Sequence, residues 1–156
     1  MENNDRMDIL SPITTIGRLL DEQTSAVCNR NIAAATANYA PEVVIFDVVG
    51  PLRHPAGNSS VRKRLEEWFE TFAPDAPIRF EIIDRAISAE DHLGFTHSLN
   101  HVHVGLRNGA ILDMFWRETL AWQKIDGHWR IVHAHSSVPF DPSTGMASTG
   151  LKPDDR

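Results

Sequence analysis

Two turn signals in the C-terminal half constrain this chain more than anything else in it. Asn108-Gly109 and Asp126-Gly127 favour two-residue hairpin loops, which need positive φ at their central positions. Strand-like runs at 93–104 and about 110–125 flank the first, and 128–138 follows the second. Ahead of them Ile78, Phe80 and Ile82 alternate with Arg79 and Glu81, the period of a half-buried strand reaching about Ile87. The spacing therefore predicts a meander of four strands.

The N-terminal half has a different rhythm. Ser11 is a good N-cap and Pro12 fits the first helical position. Ile13, Ile16, Leu19, Leu20 and Val27 then recur at helical spacing, predicting an amphipathic helix over 12–28. Asn31 caps a second, short helix expected to run to Tyr39, with Pro41 stopping it. The run VVIFDVVG at 43–50 reads as a strand over 43–48. GPLRHPAG turns the chain back, with a short strand expected around Leu52–His54. Asn58 or Ser59 opens a third helix whose apolar face is Val61, Leu65, Trp68, Phe69 and Phe72. Its wet side carries the i,i+4 pairs Arg62–Glu66 and Lys63–Glu67.

Helices gathered before a mostly antiparallel sheet define an α+β domain. A strongly curved sheet with helices over its concave face leaves a hollow at the open end, a usual place for a small molecule. Residues 1–10 are expected to be a flexible N-terminus and 11–140 the domain. The small, polar stretch 141–156 is expected to be a tail.

Bulk properties narrow the partners. A chain of 156 residues suits one domain with a real core. A net charge of −6 argues against nucleic acid or an anionic membrane as the main partner. Cys28 is the only cysteine, which excludes an internal disulfide and fits a reducing compartment. No apolar run approaches the roughly 18 residues of a membrane span, and MENNDRMD lacks a signal peptide's apolar core. The expectation is a soluble cytoplasmic protein. GxSxG, P-loop and GxGxxG motifs are missing from the sequence.

Asp47 stands out because it sits among apolar residues and glycine. A carboxylate there needs hydrogen bonds, a cation or a wet cavity. It is either a general base in a pocket or a turn aspartate capping backbone amides. His101/His103 and His133/His135 form same-face pairs on predicted strands. They could bind zinc or iron, but their spacing does not follow the cupin pattern. The other reading makes His133 and His135 interior or interface residues, with one of them, or His97, lining the pocket. Parity leaves the set Val132, Ala134 and Ser136 an equal claim to the inner face. On the fourth run, Glu118 shares a face with Trp116 and Trp122. It is a satisfied core acid or a pocket acid.

The element order, VVIFDVVG at 43–50 and DGHWRIVHAHSSVP at 126–139 together resemble the nuclear-transport-factor-2-like superfamily, in particular its SnoaL-like and ketosteroid-isomerase-like branch. The first motif is similar to the strand carrying the catalytic aspartate of ketosteroid isomerase. The second resembles the terminal strand of SnoaL-like proteins and of the calcium/calmodulin-dependent kinase association domain. The resemblance covers residues 11–140. It implies a cone-shaped, cystatin-like α+β fold, with a curved, mostly antiparallel sheet wrapped around three helices. It also implies Asp47 as a base shuttling a proton beside a carbonyl. The family's tyrosine falls near Gln23 and its second acid near Thr119 to Ala121, with Glu118 close by, so neither oxyanion donor is kept.

The superfamily hosts isomerases, dehydratases, cyclases and non-catalytic modules, and fold does not fix function. The resulting expectation is a homodimer, joined through the exposed sheet face, with a pocket for a small, largely apolar molecule. As an enzyme it would be a cofactor-free isomerase or lyase with Asp47 as base. A histidine (His97, His133 or His135) or Asn100 would polarise or protonate the substrate oxygen. Ligand contacts are expected from Trp68, Asn100, Trp116, Glu118, His133 and Ser136, without a metal. The alternative is a ligand-binding or oligomerisation module with no turnover.

Overall fold

The computed structural model of the protein describes residues 10–154. The expectation of a flexible segment over 1–10 falls, apart from Leu10, outside the described residues. Three helices precede most of the sheet: α1 (Pro12–Cys28), α2 (Ile32–Ala35) and α3 (Asn58–Glu70), with β1 (Tyr39–Phe46) between α2 and α3. Then come β2 (Arg79–Ala89), β3 (Leu93–Gly105), β4 (Ile111–Ile125) and β5 (His128–Ser137). The five strands form one curved, open sheet in the order β1-β5-β4-β3-β2, in an α+β fold. Only β1, beside β5, runs parallel to its neighbour.

The local chemistry explains the boundaries. The Ser11 hydroxyl accepts from the Thr14 amide at 3.2 Å and Pro12 opens α1, as the pattern required. Asn31 caps α2 in the same way, accepting from the Ala34 amide at 3.1 Å. That helix ends at Ala35, not at Tyr39, and Tyr39 opens β1. Pro41 is tolerated in β1 because β1 is an edge strand, and the β1–β5 register shifts between Tyr39 and Val44, around the residue with no N–H.

No strand forms at Leu52–His54; Pro51 and Pro55 remove donors on either side. Those residues make bends, with Leu52 fully outside and the His54 imidazole Nε2 donating to the Val49 carbonyl at 3.0 Å. The chain rejoins β1 when the Gly57 amide donates to the Val43 carbonyl at 2.8 Å.

Two apolar clusters hold the helices to the inner face of the sheet. Ile16 and Leu20 of α1 and Val61 of α3 meet Leu120, Trp122, Ile131 and Ala134 in the first. Ala26, Val27, Phe69 and Phe72 meet Ile78, Val102 and Val104 in the second. Even-numbered residues of β3 and β4 therefore face the helices. On β5 a register shift opposite Ala121/Trp122 sends both Ile131 and Ala134 inward, which breaks the simple alternation expected for Val132, Ala134 and Ser136. Val132 instead helps line an outer recess of about 390 Å³. No helix among the described residues is long and apolar enough to cross a membrane.

Candidate functional site

Between the two clusters the inner face of the sheet turns polar. Glu118 on β4 sits between Trp116, which packs on the second cluster, and Leu120, which belongs to the first. Its backbone neighbours are Ser98 on β3 and Ser136 on β5. Asn100 Nδ2 donates to Glu118 Oε1 at 3.0 Å and Ser136 Oγ to Oε2 at 3.2 Å. Ser98 Oγ donates in turn to Asn100 Oδ1 at 2.9 Å. Burial pushes the Glu118 carboxyl above the usual carboxylate range, against the hydrogen bonds from Asn100, Ser136 and Trp116.

Two side chains from outside the meander complete the group. Tyr39, at the start of β1, has its hydroxyl raised by burial and then by the nearby Glu118 charge. Gln23 Nε2, from α1, donates to the Tyr39 hydroxyl at 3.3 Å. Gln23, Tyr39, Ser98, Glu118 and Ser136 all keep some accessible surface, although they face the helices and Tyr39 and Glu118 are surrounded by protein. These residues form a polar patch between the two apolar clusters, on the helix-facing side of the sheet. Trp68 of α3 packs beside this patch, its ring 6.5 Å from Trp116 and edge-on to it. Phe80 lies 5.7 Å from Trp116 on the same side.

Asp47 lies just past the end of β1 and is not an unpartnered acid. Its Oδ2 is ion-paired with Arg64 of α3, and its Oδ1 accepts from the Val48 amide at 2.6 Å. Each of the paired side chains is only about a fifth exposed, at 20% for Asp47 and 21% for Arg64. Burial holds the Arg64 guanidinium below its ordinary value, and the Tyr39 and Glu67 charges oppose that shift. The other two cations of that helix turn are committed as the sequence suggested, Arg62 to Glu66 at 3.5 Å and Lys63 to Glu67 at 3.6 Å.

The expected site residues are split by the sheet. Trp68, Asn100, Trp116, Glu118 and Ser136 come together on the inner side, with Asp47 and its arginine nearby. His97, His133 and His135 lie on the opposite face. His97 stacks near Phe95, with ring centres 6.3 Å apart. His133 Nδ1 donates to the Val44 carbonyl at 2.9 Å, and both His133 and His135 set their rings edge-on to Phe46. The pocket-lining role expected of these histidines is not available to them within one chain, because their strand positions alternate with Thr96, Ser98, Ala134 and Ser136. His101 also faces outward, with Nε2 2.7 Å from Asp113 Oδ1. Among the described residues no three His, Cys, Asp or Glu side chains converge where a metal could sit.

Sequence reasoning passed over Tyr39 and Arg64 and treated Gln23 only as a family counterpart. Arg64 had a signal. It lies three residues after Val61 and four before Trp68, on the inward stripe of α3. Tyr39 is the only tyrosine, but its place depends on β1 starting where a helix was expected.

A curved open sheet with helices in the N-terminal half is the nuclear-transport-factor-2-like architecture, and the comparisons agree. The SnoaL-like domain family matches residues 16–141. The chain belongs to that family. Its structure is similar to a nuclear-transport-factor-2-like protein of unknown function from Pseudomonas putida, at 29% identity over 90% of this chain and 96% of that one, with a TM-score of 0.79. A nuclear-transport-factor-2-like superfamily protein from Salmonella enterica matches at 21% identity over 86% of this chain and 95% of that one, with a TM-score of 0.69. A ketosteroid isomerase-like protein from Erwinia carotovora matches at 18% identity over 80% and 94%, with a TM-score of 0.65. The last two show the fold alone. No curated protein matches the chain.

Proposed function

We propose that this SnoaL-like protein takes a small, largely apolar molecule between its helices and the inner face of the sheet and transfers a proton beside a carbonyl without a cofactor, as an isomerase, dehydratase or cyclase does. The observation that carries this reading is Glu118, a carboxyl on the helix-facing side of the sheet that is oriented by Asn100 and Ser136 and whose pKa burial raises. A carboxylate with raised proton affinity is a stronger base toward a carbon acid, and can return the proton it takes. The Tyr39 hydroxyl, close enough to feel the Glu118 charge, would polarise the substrate oxygen. Asp47, the base implied by the family resemblance, competes with Glu118 for the proton-transfer role; its ion pair with Arg64 makes it the weaker candidate.

The test is deuterium exchange in D₂O at the carbons flanking the carbonyl of benzylacetone, followed by NMR. Catalysed exchange that is lost in Glu118→Gln supports the reading. Loss in Asp47→Asn with retention in Glu118→Gln returns the base to Asp47. No exchange above the buffer rate favours the second reading, a binding module without turnover, to which the compensated charge of Asp47 also points. In either case we propose a homodimer joined through the outer sheet face, where Leu93, Phe95 and Phe46 are exposed.

A further inference from the structure

The outer face of the sheet carries a pattern that no single strand reveals. One row across all five strands is Ser88, Phe95, Ala121, His133 and Val44. The next is Ala86, His97, Thr119, His135 and Phe46. Neither row holds a lysine, arginine, aspartate or glutamate, in a chain where such residues make up 23%. Two complete rows without a formal charge at neutral pH let a second copy approach, even though each copy carries a net charge of −6. The groups in these rows that can become charged on mild acidification are His97, His133 and His135.

His97 and His135 are exposed and His133 is half-buried. The His133 Nδ1–H is spent on the Val44 carbonyl, so a further proton goes to Nε2. Its ring centre lies 6.4 Å from that of His135, close enough for two imidazolium ions to repel. The charged groups next in register are Asp84 and Arg85 in the β2 bulge beside His97, Arg117 of β4, Arg130 of β5, and Glu42 and Asp47 along the β1 edge. Arg85 is paired with Asp21 at 2.7 Å, and Asp47 with Arg64. Arg117 and Arg130 therefore flank the rows with positive charge, while Asp84 and Glu42 lie only at the two edges of the sheet. Lys152 reaches Asp113 and Phe115 two rows away, where His101 already sits between Glu81 and Asp113.

We propose that His97, His133 and His135 gate the pairing of two copies by pH: neutral imidazoles let the outer faces meet, and protonated ones drive them apart. This rests on the homodimer proposed above and adds its regulation. An imidazole ordinarily changes charge between about pH 5 and 8. Covering it with an apolar surface favours the neutral ring. The separated copies then bind more protons than the pair, so association weakens as the pH falls. A two-fold contact brings the same histidines from both copies together, which makes the dependence steep.

The experiment is sedimentation of the full chain, with EDTA present, at about pH 8 and about pH 5.5. The lower value is raised to the point where far-UV circular dichroism shows the wild-type fold unchanged. The dimer dissociation constant of wild type is expected to rise about a hundredfold at the lower pH. His97→Gln/His135→Gln, which cannot take up these two protons, should pair at the higher pH and shift by less than about tenfold. Where the glutamines weaken the pair at the higher pH, His97→Phe/His135→Phe restores the aromatic area and gives the same reading. A wild-type dimer equally tight at both pH values overturns this inference and leaves the dimer standing. A shift as large in the folded variant as in wild type overturns it too, because the titration then lies elsewhere. A wild type that is monomeric at the higher pH overturns the dimer and this inference together.

Discussion

Asn100 donates to Glu118 across the β3–β4 pair at 3.0 Å, and Asn100 itself is only 1% exposed. The acid in the middle of the sheet is therefore held by a residue with almost no access to water. Replacing Asn100 with leucine removes one donor from Glu118 and the acceptor of Ser98 together. The expected cost is about 1–3 kcal/mol of stability at neutral pH. Urea unfolding measures it, and the penalty should shrink at a pH low enough to protonate Glu118. An equal penalty at both pH values would mean the loss is one of packing.

Glu118 also makes stability depend on pH in a definite direction. Its folded pKa is raised, by burial first, above the ordinary 4.5. The folded state then binds the proton more tightly than the unfolded chain. Its contribution is complete below the ordinary carboxylate value and is lost as the pH rises through the folded one. Glu118→Gln removes this titration. The stability of the variant relative to wild type should therefore grow with pH from about 4.5 upward. Thermal unfolding of both proteins across that window provides the check, and a difference that stays flat would show that Glu118 is better hydrated than its surroundings suggest.

The Asp47–Arg64 pair predicts coupling. With both side chains about a fifth exposed, the pair lies between surface ion pairs, worth under 1 kcal/mol, and buried ones. A double-mutant cycle of Asp47→Asn and Arg64→Met should return about 1–2 kcal/mol of interaction energy. Each single variant should destabilise by more than the second change does in the presence of the first. Additive effects would mean that the pair is solvated and that Asp47 contributes through the Val48 amide alone.

These predictions rest partly on residues the sequence exposed and partly on residues it hid. The meander was legible because Asn108-Gly109 and Asp126-Gly127 fix hairpins locally, and α1 because Ser11-Pro12 does the same for a helix start. Tyr39 was not. Its place depends on β1 pairing with β5, some 90 residues further along the chain, and Pro41 looked like a helix stop when it is an edge-strand residue. The inner face of β5 was hidden for a related reason. A one-residue shift opposite Trp122 moves Ile131 inward, and strict alternation cannot register a bulge. The partner of Asp47 went unread because an ion pair between a strand end and a helix 17 residues later belongs to packing, not to spacing.

The outer face of the sheet carries the last prediction. Leu93 is 65% exposed and Phe95 50%, and Phe46, at 37%, packs its ring against His133 and His135. Exposed aromatic and aliphatic groups collected on one sheet face are costly in water and suit a buried contact between copies. Lys152 reaches back to the same face, where its Nζ lies 3.1 Å from Asp113 Oδ2 and 5.2 Å from the centre of the Phe115 ring, so the tail and a second copy would be neighbours there. Phe95→Glu places a charge in that contact while leaving the inner residues untouched. Wild type should sediment as a dimer at micromolar concentration and the variant as a monomer, with both binding benzylacetone equally. A monomeric wild type would remove the dimer. A variant that still dimerises would move the contact away from the Phe95 end of the sheet.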